Sequence, residues 1–496
     1  MFFFIVRRML VSIPILLAST FLVFGLTTMA GDPLSDLRQS QSPNKEVQIA
    51  AMRDRLDLDK SVPERYVNWL KGVPKLDFGK TRDGQEVWPI LKQAMITTLR
   101  LVVLAVVLSV LIGLAVGILS AVRQYSLFDY GATFAAFLCF SLPVFWLAVL
   151  LKEFGAIKFN NYLTKPGLST AGIILLSVIG GLFFWGAVGG TWKRRAIGGA
   201  TALVASFVIF GLIDNKHWLR NPGFSRPVIA IFAALGAIAA TAMFAAPSNR
   251  RVLVPSLLAA GGGVLSTYFL GDWLFRPDWT RLLLMALMAT VFGIAVGLAL
   301  GGIDRAAAAR ASAFAALFTG GVILFDEFIS AWRPGRTIAT VGPQTPNLKG
   351  TFWPRMIDYA GHQILPSLAL ALIGFAGYSR FTRASMLETL NSDYVRTAKA
   401  KGLAPTQVIM RHAFRTALIP VTTLITLSFG SIIEGAVITE RVFAWKGMGT
   451  LFVKGLTDVD PYPVMGFLLI VSLTIIFFNA VADILYAYLD PRIRVV

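Results

Sequence analysis

The chain has a single cysteine, Cys139, and it lies inside an apolar run. One cysteine excludes an intrachain disulfide framework and a thiolate metal cluster. The three histidines, His217, His362 and His412, are far apart and show no metal-ligand spacing, so no metal site is expected. There is no Ser-His-acid set, no clustered histidine and no carboxylate pair at a convincing spacing, which argues against a membrane enzyme. Charge is scarce, at 15% of 496 residues, where soluble domains carry about a quarter. Acids are scarcer still: 27 against 46 Lys and Arg, a formal net charge of +19. No basic run has interleaved aromatics, so the excess does not read as nucleic-acid binding. It fits Lys and Arg gathered in cytoplasmic loops.

What is abundant is apolar sequence, 56% of the chain, blocked into long runs. About 20 apolar residues cross a bilayer as a helix, whereas a barrel would show short alternating segments. The chain reads as an all-α polytopic membrane protein. After Arg7 and Arg8, a first span covers roughly 9–29; it is too long for a usual signal-peptide core and is read as retained. A polar stretch punctuated by Pro33, Pro43, Pro63, Pro74 and Pro89 suits a small external subdomain over 31–95. Spans follow near 97–122 and 130–151. Six more runs, near 170–190, 197–213, 228–246, 252–271, 281–300 and 306–325, form a block over 161–330 that looks added. Placing Lys193–Arg195, Arg250–Arg251 and Arg305 with Arg310 inside satisfies the positive-inside rule. An external loop, 331–363, precedes three last spans near 364–385, 416–438 and 464–487. The total is about twelve, with both termini cytoplasmic.

The most informative stretch is the polar loop 393–420, set between two apolar segments. Ser392 or Asp393 suits a helix N-cap, Tyr394 to Lys401 makes two turns, Gly402 suits the left-handed residue that stops a helix, and Pro405 suits the first turn of another. Arg396, Lys399, Lys401, Arg411 and Arg415 keep the loop on the cytoplasmic side. Such a helix either sits in a groove on a soluble partner or touches only lipid headgroups. On physical grounds both remain open.

The loop resembles the EAA loop of binding-protein-dependent ABC importer permeases, in particular their dipeptide/oligopeptide/nickel branch. The matching strings are Tyr394 to Leu403 and Arg411 to Pro420. The general pattern places Glu-Ala-Ala six residues before the glycine; Arg396, Thr397 and Ala398 stand there, as is the habit of the peptide branch. Further similar strings keep the family's order: Gly31-Asp32-Pro33, Asp77-Phe78-Gly79, Ser141-Leu142-Pro143, Leu365-Pro366-Ser367, Arg380 to Met386, Val442 to Gly449 and Tyr486 to Arg492. The resemblance covers about 1–160 and 350–496, and not the added block. It implies a type I importer core of six helices: a first span (1–30), spans 2–3 (96–160) and spans 4–6 (364–496). It also implies a multi-pass protein of the bacterial inner membrane. Implied partners are a second permease subunit, giving a heterodimer, two cytoplasmic ATPases and an extracytoplasmic substrate-binding protein. Peptides are the expected cargo, with nickel or another small solute as the alternative. Coupling to the ATPases is expected at Tyr394, Arg396, Thr397, Ala398, Lys399, Lys401, Gly402 and Leu403.

Two acids inside spans, Glu434 and Asp483, are candidates for the pathway; structural hydrogen bonds are the alternative for each. Glu440 suits a cap at a helix end. Gly79-Lys80-Thr81 imitates the end of a phosphate-binding loop, but Pro74 stands where the first glycine belongs and no strand precedes it. No cofactor is expected, and ATP hydrolysis is assigned to a partner. A twelve-span secondary transporter is the main rival, but such proteins show related halves and none is visible.

Overall fold

The computed structural model describes the backbone of residues 2–164, 167–188, 190–215, 218, 222–246, 248–332, 338–404 and 407–489, and within it all side chains except 2–9, 215, 427, 429–435, 482–483 and 485–489. The described chain is helical. α1 (Phe2–Met29) leads to three short helices, α2 (Ser35–Gln39), α3 (Lys45–Arg55) and α4 (Val62–Gly72). Then come α5 (Val87–Val122), α6 (Leu127–Ser141), α7 (Val144–Leu150) and, after a π-turn at Leu151–Lys158, α8 (Phe159–Thr164). The block at the centre holds α9 (Thr170–Ala187), α10 (Trp192–Asn215), α11 (Arg226–Phe244), α12 (Arg250–Ser266), α13 (Gly271–Phe275), α14 (Trp279–Leu300) and α15 (Arg305–Ser330). α16 (Phe352–Leu390), α17 (Asp393–Ala400), α18 (Phe414–Val442), α19 (Met448–Thr457) and α20 (Pro461–Leu489) complete it.

Ten of these segments are long and apolar enough to cross a membrane alone, and an eleventh counts if the bent pair Leu127–Ser141 and Val144–Thr164 is one span. The sequence suggested twelve. The difference is α12, which at 17 residues is short. It nevertheless traverses its bundle: Asn249 before it bonds Asp304 at one end, and Tyr268 after it meets Arg226 at the other. The 108° bend falls at Pro143, which lacks an N–H and holds Leu142 extended.

The core is the crossing of α5 and α16. Ser109, Gly113, Gly117 and Ala121 recur every four residues on the buried face of α5. A Cβ on Gly113 would lie 2.6 Å from the Tyr378 Cβ, and one on Gly117 2.7 Å from the Ser379 carbonyl. Small residues let the two backbones approach where lipid offers no hydrophobic drive.

At the α5 N-terminal end, hereafter the far end, a polar cap sits on the bundle. Ser61 and Glu64 form a capping box that starts α4. Its aromatic face continues from Tyr66 through Trp69 and Phe78 to Trp88, and packs on the buried Phe24 of α1. The Tyr66 hydroxyl meets the Thr20 hydroxyl at 2.9 Å. Gly79-Lys80-Thr81 lies in this cap, in a bend closed by an isolated bridge between Lys80 and Glu86. The Thr81 N–H is used by the Gln85 carbonyl, and the Gly79 N–H by Asp77. Those N–H groups are not available to a phosphate.

The central block sits beside the core. α11, α12 and α15 share an Ala-rich interior around Ala237, Ala260, Ala311 and Ala315, α14 packs on α15 and α12, and α9 pairs with α10. Attachments to the core are polar and aromatic: Arg123 donates to the Gly186 carbonyl, Trp353 donates to the Leu274 carbonyl at 2.6 Å, and Phe128 packs edge-on to Phe183.

Candidate functional site

The loop at the opposite end is held from beneath. α17 turns Val395 and Ala398, three residues apart, onto one face, and both are buried. They pack with Ala121 of α5, Met386 of α16 and, from the following π-turn Val408–Ala413, Val408 and Ala413. Tyr394, Arg396, Thr397, Lys399, Lys401, Gly402 and Leu403 are all exposed. Ala398 therefore anchors the helix, and the other seven candidates form its free face and exit. The helix carries charge on that face with almost no internal neutralisation: Arg396 and Asp393 are 3.8 Å apart and both largely exposed.

Ser392 occupies the N-cap, but its hydroxyl donates back to the Thr389 carbonyl instead of capping α17. At the other end Gly402 has φ +75°, and its N–H bonds the Lys399 carbonyl. This is the left-handed stop that glycine allows without steric cost. Nothing lies within 4 Å of where its Cβ would be, so the position demands glycine for its backbone and not for space. Pro405 lies outside the described residues, as do the side chains of Glu434 and Asp483.

Sequence reading missed the group that fixes the loop's floor. Arg383 of α16 bonds Asp129 of α6 in a two-pronged pair, and the Asp129 side chain is 3% exposed. Asp129 also accepts from the Tyr125 N–H, and its own N–H caps onto Ser126. In sequence it passes for an ordinary first-turn acid; only its partner 254 residues away shows its purpose.

Glu440, expected to cap a helix end near the surface, is fully buried. It accepts from the Thr98 hydroxyl of α5 at 2.5 Å and from the Thr450 N–H of α19 at 3.0 Å. Thr98 in turn accepts from the Met448 N–H. A Cβ on Gly447 would collide with the Glu440 carboxylate, so the glycine makes room for the buried acid. The string Val442 to Gly449 is thus a clasp tying α5, α18 and α19 at the far end.

Residues 338–495 match the family described as Binding-protein-dependent transport system inner membrane component. That stretch, about the last third of the chain, carries the family's domain. It is 25% identical over 492 residues to an oligopeptide transport system permease of Mycobacterium tuberculosis, covering 99% of each chain. It is 26% identical over 495 residues to a dipeptide transport system permease of Escherichia coli, covering 99% of this chain and 98% of that one. Over a shorter stretch of 140 residues it is 47% identical to a di/tripeptide transport system permease of Pseudomonas aeruginosa. Those residues are 28% of this chain and 41% of the relative, which puts the relative at roughly 340 residues, well short of 496. The permease is a multi-pass bacterial inner-membrane protein and no ATPase; hydrolysis belongs to a separate subunit. It works with a further permease, ATPase and substrate-binding protein.

Proposed function

We propose that this permease moves di- or oligopeptides inward by alternating access, in a heterodimer with a second permease, driven by two ATPases that grip α17. The observation that carries this reading is the division of α17: Val395 and Ala398 bury it, while Arg396, Lys399 and Lys401 stand free beside an exposed Tyr394 and Leu403. An interfacial helix seeking lipid would turn its apolar face outward; here that face is taken by the permease itself. What is left outside is a basic surface with an aromatic and an aliphatic side chain, which suits a groove on a soluble subunit.

The ATPase groove must hold α17 differently in its two nucleotide states, since a partner with equal affinity for both conformations shifts neither. Motion of α17 would pass to α5 and α16 through Ala121 and Met386. Residues 161–330 are read as a block added to a six-helix core.

The test is Gly402→Pro, together with the surface variant Arg396→Glu/Lys399→Glu, in the reconstituted complex. Both should insert and assemble normally at the membrane and lose peptide-stimulated ATP hydrolysis. Wild-type transport by both variants would refute the assignment of the loop.

A further inference from the structure

At the far end, α5, α16, the α13–α14 turn and the loop before α16 surround a cavity of about 1200 Å³. Ligand pockets for drug-sized molecules run about 300–1000 Å³, so a short peptide has ample room. Four cations line it, Lys92, Arg100, Arg276 and Arg355, against one carboxylate, Asp278. That carboxylate is already engaged, accepting from the Arg281 N–H at 2.7 Å. None of the four cations is ion-paired among the described residues. Between the charges stand aromatic faces: Trp279 packs edge-on to Phe352 at 5.4 Å, and Arg100 lies over Tyr359. Trp445 also lines the cavity; it is 2% exposed, and its indole N–H has no acceptor among the described residues.

A cleft of one sign of charge with apolar walls focuses its field on whatever enters. The complementary ligand brings carboxylates for the guanidinium groups, an acceptor for an indole N–H and an apolar portion for the rings. Resting on the peptide-import reading, we propose that this cleft is a specificity-determining subsite for acidic peptides, and that the added block exists in part to build it. Arg276 and Trp279 come from that block. The bond from Trp353 to the Leu274 carbonyl fixes their turn against α16. Without the block the cleft would keep Lys92, Arg100 and Arg355 but lose one wall.

The experiment uses the complete importer in proteoliposomes, with Glu-Phe and its neutral isostere Gln-Phe as probes. Wild type should favour Glu-Phe in kcat/KM. Arg276→Gln/Arg355→Gln should lower Glu-Phe uptake about tenfold relative to Gln-Phe uptake, the scale of one lost charge-assisted hydrogen bond. Arg276→Lys/Arg355→Lys should retain most of the preference. Equal losses for both peptides, or an unchanged ratio, would overturn the proposal. So would a preference present in pure phosphatidylcholine and abolished in vesicles containing phosphatidylglycerol, because the cations would then belong to lipid headgroups. Failure of wild type to import either probe would overturn the peptide-import reading beneath it.

Discussion

Arg383 holds Asp129 through two parallel bonds, Nε to Oδ1 at 2.7 Å and Nη2 to Oδ2 at 2.8 Å. The acid is buried and the guanidinium is about a third exposed. The pair locks α6 to α16 one turn before Met386, on which α17 rests. Removing one partner of a buried pair leaves an uncompensated charge and costs about 3–5 kcal/mol. Arg383→Ala should therefore lower thermal stability in detergent sharply. Asp129→Leu/Arg383→Met should recover much of the loss, and a double-mutant cycle measures the coupling directly. Simple additivity of the single variants would show the pair to be dispensable.

α17 separates buried support from exposed surface. Val395→Ala should destabilise the loop by about 1 kcal/mol through lost burial. Lys399→Ala and Lys401→Ala should leave thermal stability within roughly 0.5 kcal/mol, as solvated surface changes do, while reducing peptide-stimulated ATP hydrolysis. Comparing unfolding curves with ATPase rates for the three variants distinguishes the two roles.

Glu440 and Gly447 form a lock-and-recess pair. Gly447→Ala places a methyl group where the carboxylate sits, so Glu440 must move and its bonds to Thr98 and Thr450 must break. The loss should be about 2 kcal/mol or more, the cost of a buried polar group left without a partner. Gly447→Ala with Glu440→Ala should be milder than the sum of the two single changes. Chemical unfolding monitored by tryptophan fluorescence reads this out.

Asp460, in the turn between α19 and α20, is 4% exposed, and burial pushes its pKa up to about 6 against its bonds from the Arg82 and Tyr462 N–H groups. The folded state therefore binds a proton that the unfolded state has released, and stability falls as pH rises from about 4 to about 6. The drop should be on the order of 2–3 kcal/mol, complete above that window. Asp460→Asn should flatten the dependence and be the more stable form at pH 7. A wild-type melting temperature independent of pH between 4 and 7 would contradict this account.

Much of the architecture was legible in the chain because burial in a bilayer is a long, one-dimensional signal. Runs of about 20 apolar residues gave the spans, and Lys193–Arg195 and Arg250–Arg251 marked their turns. The two-turn helix and the left-handed Gly402 outlined the geometry of the loop after α16. At α12 length and position part: its 17 residues are short for a span, yet the residues flanking it are bonded at opposite ends of its bundle.

The sequence by itself determined the class of molecule, the helical count to within one or two, and the local geometry of α17, since hydropathy, capping and left-handed glycine are properties of neighbouring residues. Only the tertiary structure decided which side of α17 is free, that Asp129 meets Arg383, that Glu440 is buried against Thr98, and that Arg276 of the central block faces the same cleft as Arg355. These depend on distances between residues hundreds of positions apart. They are set by how helices cross, and no local pattern in the chain encodes that crossing.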